Sequence, residues 1–285
     1  EQRVDGQDRQ LRVGLGVARQ VQVHQLLLHK VVRVRRLRAP RAVEQREAAG
    51  IAALVIALMV GERKGFNKSL LPPHSPALTM VGAGLLWFGW YGFNGGSALS
   101  ASGDAASAIL NTHMAASAAA LVWIMLERVK IGKPTSIGIV TGAVAGLATV
   151  TPAAGYVGLS GAIILGLLGG IVCFFAVQLV KQTWKVDDSL DVFAVHGVGG
   201  MLGSILFPLF MAQSIGGVGF SESQTLAGQL GAQALAVGLV AAWTGLVTWL
   251  ICVASNVVLP MRVDEEAEHD GLDLSSHGER GWELD

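Results

Sequence analysis

Cysteine is almost absent: the 285 residues hold two, Cys173 and Cys252, both inside apolar runs. A disulfide framework is excluded, and two packed free thiols are the expected state. Charge is scarce too. Asp, Glu, Lys and Arg make up 15% of the chain, against roughly 25% in soluble domains. The 21 basic residues balance the 21 acidic ones, which excludes a nucleic-acid-binding chain, and with 52% hydrophobic residues it is not a disordered one. Also missing are an activated nucleophile, a metal-ligand cluster and a nucleotide-binding loop, so neither an enzyme nor a metal or cofactor is expected. What is plentiful is apolar residues and glycine, of which there are 37, well above the usual ~7%. Such a balance points to a polytopic membrane protein.

Residues 1–47 lack a different set. They contain no Ser, Thr, Asn, Ile, Phe, Tyr, Trp, Met or Cys, and carry 11 Lys/Arg against 5 Asp/Glu, a net +6 balanced by −6 in the remainder. The basic run Lys30–Arg38 shows no 3.6-residue apolar stripe. A basic arm lying on anionic lipid and a targeting peptide are two readings of this stretch. The preferred one is a non-native segment, translated out of frame or disordered, with the authentic protein resuming near Ala48.

From Ala48 onward apolar runs fall at about 48–61, 77–98, 105–127, 136–151, 157–180, 190–212 and 226–258. Most approach the ~20 residues that cross a bilayer, and the first has the length of a partial span. All ten later Lys/Arg residues lie in alternate connections: Arg63, Lys64 and Lys68; Arg128, Lys130 and Lys133; Lys181 and Lys185; Arg262 and Arg280. The positive-inside rule makes those connections cytoplasmic, together with the tail 261–285. Small residues recur as stripes, among them Gly138, Gly142 and Gly146, Gly166, Gly169 and Gly170, and Gly197, Gly199, Gly200 and Gly203. In lipid such stripes mark close helix–helix faces.

Polar groups at membrane depth are costly and so carry the functional signal. In Trp87–Ser97 the residues Trp90, Phe93 and Ser97 follow at steps of three and four and share a helix face. Aromatic faces attract cations and a hydroxyl accepts from an N–H group, so this set suits a small cation; an interfacial aromatic belt is the bland alternative. His196 lies about two turns inside a helix, where an imidazole can donate at one nitrogen and accept at the other; a bond to a nearby backbone carbonyl is its structural alternative. His113 reads as a structural hydrogen-bonding residue, and His24, His29, His74, His269 and His277 fall outside the spans. Asp187, Asp188 and Asp191 open the His196 helix. Capping of free N–H groups is expected of Asp187, while Asp191, a step deeper, is expected to be hydrogen-bonded and to hold helices in register.

The segments Trp87–Ser97, Thr141–Leu147, Thr151–Tyr156, Val186–Gly200 and Asp270–Glu279 together resemble the ammonium transporter family, the Amt/Mep/Rh superfamily. The resemblance implies an all-α helical bundle from the second half of helix five through helix eleven, so the chain as written lacks most of the first inverted repeat. It implies a homotrimer with one pore per protomer. Trp90, Phe93 and Ser97 match the recruitment and gate side, His196 the second pore histidine, and Asp188 and Asp191 structural acids. The first pore histidine belongs four residues before Gly50, in a His-Ile-Asn-Ala-Gly pattern, where this chain has Arg46-Glu-Ala-Ala-Gly50. The implied function is passage of ammonium/ammonia across the plasma membrane after deprotonation, impaired in this chain as written. The alternatives are a membrane-embedded ammonium sensor and an inactive fragment; the short acidic tail favours transport over sensing. The resemblance further implies that the tail docks on a neighbouring protomer near the Lys181–Lys185 loop and that a PII-type regulator binds there.

Overall fold

A computed structural model of the chain describes residues 43–66 and 75–279, within the unit 39–285. Residues 1–42, the larger part of the segment read as non-native, lie outside the described residues. The first helix, α1, runs Val43–Val60 and so begins ahead of Ala48. It is followed by α2 (Pro76–Gly96), α3 (Gly103–Lys130), α4 (Ser136–Val150) and α5 (Leu159–Gln178), the last prolonged by a π-turn, Leu179–Thr183. A π-helical segment, Val192–Gly197, leads directly into α6 (Val198–Leu206) and a 3-10 turn, Phe207–Phe210. The long α7 (Leu226–Val258) and two short tail helices, α8 (Glu265–Asp270) and α9 (Leu272–His277), complete the described chain. No strand occurs among the described residues.

Local chemistry sets the helix starts. Ser75, Ser102, Thr135, Thr225 and Asp264 each turn a side-chain oxygen to a backbone N–H three residues on, and Pro76 follows Ser75 at the first helical position. Each cap satisfies a donor that the helix itself cannot.

Four segments, Gly103–Lys130, Leu159–Thr183, Val192–Phe210 and Leu226–Val258, are long and apolar enough to cross a membrane; Ser136–Val150 is a shorter apolar helix. The distribution of side chains is that of a protein in lipid. On α7, Leu235, Leu239, Leu246, Leu250 and Ile251 face outward, whereas Gln229, Gln233 and Thr244 are buried. Polar groups inside and leucines outside invert the arrangement of a water-soluble helix.

Helix α3 forms the centre, packed against both α4 and α5. Its face is built from Ala108, Ala115, Ala116, Ala118 and Ala119, all buried. Glycines of the expected stripes approach it closely: a Cβ at Gly142 would lie 2.6 Å from the Trp123 Cβ, and one at Gly166 would strike the Ala115 backbone. Asn111 secures the far end of α4 by donating to the carbonyls of Ala154 (2.9 Å) and Val157 (2.8 Å). Cys173 and Cys252 are free and buried, as expected.

Helix α1 packs against α7 and the π-helical segment. At that crossing Gly50 and Gly197 meet backbone to backbone, and a Cβ on Gly50 would collide with the Cα and N of Gly197. Any side chain at Gly50 therefore drives α1 away from the residue next to His196, a consequence of close approach that only glycine permits.

The connection after α1, the segment that opens at Asp187 and the tail meet at one end. Arg63 donates its backbone N–H to Asp187 (2.9 Å) and pairs with the same carboxylate at 3.4 Å. The tail joins them: Arg262 pairs with Glu268 at 2.8 Å and donates to the Val60 carbonyl, and the Lys64 backbone N–H donates to Glu268. Within the chain these tail contacts run to Val60–Lys64. The Lys64 N–H, and after it Arg262, hold the Glu268 carboxyl below its ordinary range. A carboxyl held down in the folded chain adds stability that is present above its ordinary value and lost as pH falls through the lowered one. Hydrogen exchange in 264–277, corrected for intrinsic rates, is thus expected to accelerate a few-fold on acidification. In Glu268→Gln it should already be fast at neutral pH and lose that acid dependence; exchange identical to the parent's would refute the contact's role.

Candidate functional site

Trp90 is the residue around which the site assembles. It is 2% exposed, and its indole N–H donates to the Thr151 hydroxyl at 2.9 Å. The Thr151 hydroxyl in turn donates to the Leu147 carbonyl at 2.6 Å, so the ring is fixed by α4. One helical turn on, Phe93 presents its ring edge-on, with centroids 6.3 Å apart. The His196 imidazole lies nearly parallel to the indole, at 6.2 Å and 10°. Three of the four expected site residues are therefore brought together by segments far apart in sequence. Ser97 caps the end of α2 and donates to the Phe93 carbonyl at 2.7 Å, its lone pairs left to accept.

His196 stands on a π-helix rather than on the regular helix expected. The extra residue per turn opens the backbone spacing locally, and such turns cluster at functional sites. Its start is held by Asp188, which is 4% exposed and accepts from the backbone N–H groups of Val192 (2.8 Å), Phe193 (2.9 Å) and Ala194 (3.1 Å). The cap was expected of Asp187. That residue instead faces Arg63, because Asp191 takes a left-handed backbone conformation (φ 57°) that folds the chain back over Asp188. Asp and Asn adopt this conformation more readily than other side chains. Asp191 also pairs with Lys181 at 2.7 Å, tying the π-turn after α5 to the start of the His196 segment.

Arg46 enters the same space from α1. Its guanidinium carbon lies 3.8 Å from the Trp90 ring centroid and 4.7 Å from that of Phe93. The sequence marks Arg46 as a departure from the histidine pattern, but nothing local shows that it stacks on Trp90. Two further polar residues carried no sequence signal. Glu127 is buried and accepts from the Thr135 N–H (2.7 Å) and hydroxyl (3.0 Å), closing the turn from α3 to α4. Glu47 is fully buried, and neither carboxylate oxygen has a hydrogen-bond partner among the described residues. His113 accepts or donates with the Tyr91 hydroxyl at 2.7 Å, a structural bond on the α2–α3 contact. No group of three or more His, Cys, Asp or Glu side chains suited to a metal occurs among the described residues.

Buried polar side chains inside a bundle of apolar, membrane-length helices, with an imidazole stacked on an indole, fit a multi-pass membrane protein. A family model of the Ammonium Transporter Family matches residues 47–282. The chain is 44% identical over 236 residues to ammonium transporter Amt1 of Archaeoglobus fulgidus, covering 81% of this chain and 59% of that protein. It is 40% identical over 240 residues to an ammonium transporter of Bacillus subtilis, covering 83% and 58%. Among solved structures it resembles a Sensor Amt Protein, with a TM-score of 0.77 at 31% identity, covering 84% of this chain and 60% of that one. It also resembles Mep2 of Candida albicans, with a TM-score of 0.72 at 36% identity, covering 81% and 53%. The chain belongs to the ammonium transporter family, whose members are transporters rather than enzymes, and spans somewhat over half the length of these relatives.

Proposed function

We propose that the chain provides the C-terminal part of a path for ammonium/ammonia across the plasma membrane. Trp90 and Phe93, with Ser97, form the side that receives the cation, and His196 lines the path beyond them. The observation that supports this most is the meeting of His196, from the π-helical segment, with Trp90 of α2, whose neighbour one turn on is Phe93. Cation–π attraction favours the charged species over the indole and the phenyl ring. Past them, a neutral imidazole offers a donor and an acceptor in a region where a free charge is costly. In this reading the ammonium passes its proton to water on the receiving side, forming hydronium there, and neutral ammonia moves on past His196.

The end that gathers Arg63, Lys64, Lys181 and Arg262 is cytoplasmic by the positive-inside rule, and with it the tail. A homotrimer, with a PII-type regulator at the tail, completes the proposal by analogy with the family. A second reading, ammonium sensing, draws on the likeness to the Sensor Amt Protein; it predicts ligand binding without flux.

The test is uptake of labelled methylammonium into proteoliposomes, with Arg46→His in both members of the pair so that the position matches the family pattern. Adding His196→Ala is expected to lower uptake about ten-fold, the equivalent of one lost hydrogen bond to the permeating species. Circular dichroism should show unchanged helicity. Unchanged rate and selectivity in the His196→Ala protein would refute the assignment, and binding with no flux in its parent would favour the sensing reading.

A further inference from the structure

We infer that Arg46 is a resident cation which occupies the pocket between Trp90, Phe93 and His196 and decides what that pocket admits. The inference rests on reading the pocket as a cation site, and it concerns a residue that the family pattern does not supply. Three observations carry it. The guanidinium lies against the Trp90 face and within cation–π reach of Phe93, at 3.8 and 4.7 Å from the two centroids. The Arg46 side chain threads past Gly200, where a Cβ would sit 3.0 Å from the Arg46 Cβ. Its Nε is buried and has no hydrogen-bond partner among the described residues. The aromatic faces therefore cover the part of the guanidinium that hydrogen bonding leaves uncompensated.

A planar, delocalised and weakly hydrated ion suits such a place, and a guanidinium keeps its charge at any physiological pH. A second monovalent cation meets both a steric obstacle and like-charge repulsion in a medium that screens poorly. The pocket in this chain is therefore closed by its own side chain, and the path proposed above opens only where Arg46 is replaced. Shortening Arg46 leaves a cavity with the chemistry and size for free guanidinium or a small alkylammonium. Arg46 is in this sense the specificity-determining residue of the pocket.

The primary experiment is equilibrium dialysis of the detergent-solubilised chain against labelled guanidinium, the head group of Arg46 itself. The parent and Arg46→Lys, which keeps a tethered cation, should bind at background. Arg46→Gly and Arg46→Gln should bind at least about ten-fold more, and adding Trp90→Leu to Arg46→Gly should remove that binding. Arg46→Gln shortens the side chain but keeps its first carbons against the helix, so it remains informative if the glycine variant is less stable. Equal binding by the parent and Arg46→Gly, or binding by none of the four, overturns the inference. Methylammonium uptake by the same proteins separates this outcome from the transport reading. Binding that appears only when the charge is removed, without uptake, upholds the resident cation while refuting transport; uptake by the parent equal to that of Arg46→Gly refutes the resident cation and leaves transport standing.

Discussion

Replacing Glu47 by leucine is expected to stabilise the folded chain by about 3 kcal/mol, the scale of removing a buried carboxyl that lacks compensation. Glu47 is 0% exposed and both its oxygens are unpartnered among the described residues. It sits on α1, which packs against α7 and the π-helical segment. Its carboxyl gives up water without receiving a donor in return. Leucine is close to it in volume and suits an apolar helix interior, so the gain is not offset by a new cavity. In a detergent micelle the unfolding midpoint should rise by roughly 5–10 °C. Glu47→Gln should stay near the parent, because the amide leaves an uncompensated polar group in the same buried place. A lowered midpoint for Glu47→Leu would mean that a donor reaches this carboxylate in the folded protein.

The opposite effect is expected at Asp188. Its carboxylate accepts three backbone N–H groups from the first turn of the His196 segment, at 2.8, 2.9 and 3.1 Å. Charge-assisted bonds of this kind are worth about 1.5–3 kcal/mol each and are not additive. Asp188→Ala strands three donors in a buried place and should cost about 4 kcal/mol, read as a drop in the same midpoint. Asp188→Asn retains one acceptor oxygen and should lose less. Because those bonds set the path of the backbone into the π-helix, Asp188→Ala should also shift the His196 ring signals in NMR spectra of imidazole-labelled protein. Arg63→Ala, which removes the side-chain partner of Asp187, should leave them in place. Loss of the midpoint without movement of the His196 signals would show that Asp188 anchors the helix but does not position the ring.

Some features of this protein are local and were legible from the chain alone. The apolar character of the helices and the burial of Cys173 and Cys252 depend on composition within one or two turns, and the described helices lie close to the apolar runs. The clustering of basic residues in alternate connections likewise follows from their positions in sequence. The ordered motifs from Trp87 to Glu279 carried the family resemblance, and with it Trp90, Phe93, Ser97 and His196.

What only the tertiary structure decided is how distant segments approach one another. The cap fell to Asp188 and not Asp187: with a left-handed turn at Asp191, the Asp188 carboxylate accepts from the N–H groups of Val192–Ala194, while Asp187 faces Arg63. The π-helix under His196 has no sequence signature: Val192–Gly197 is as apolar as a regular helix, and the extra residue per turn is accommodated where Gly197 meets Gly50 across the crossing with α1. The stacking of Arg46 on Trp90 is of the same kind. A sequence names the residue types, but cation–π contact is a matter of a few ångströms between side chains on different helices, and those distances are fixed only once the helices have packed.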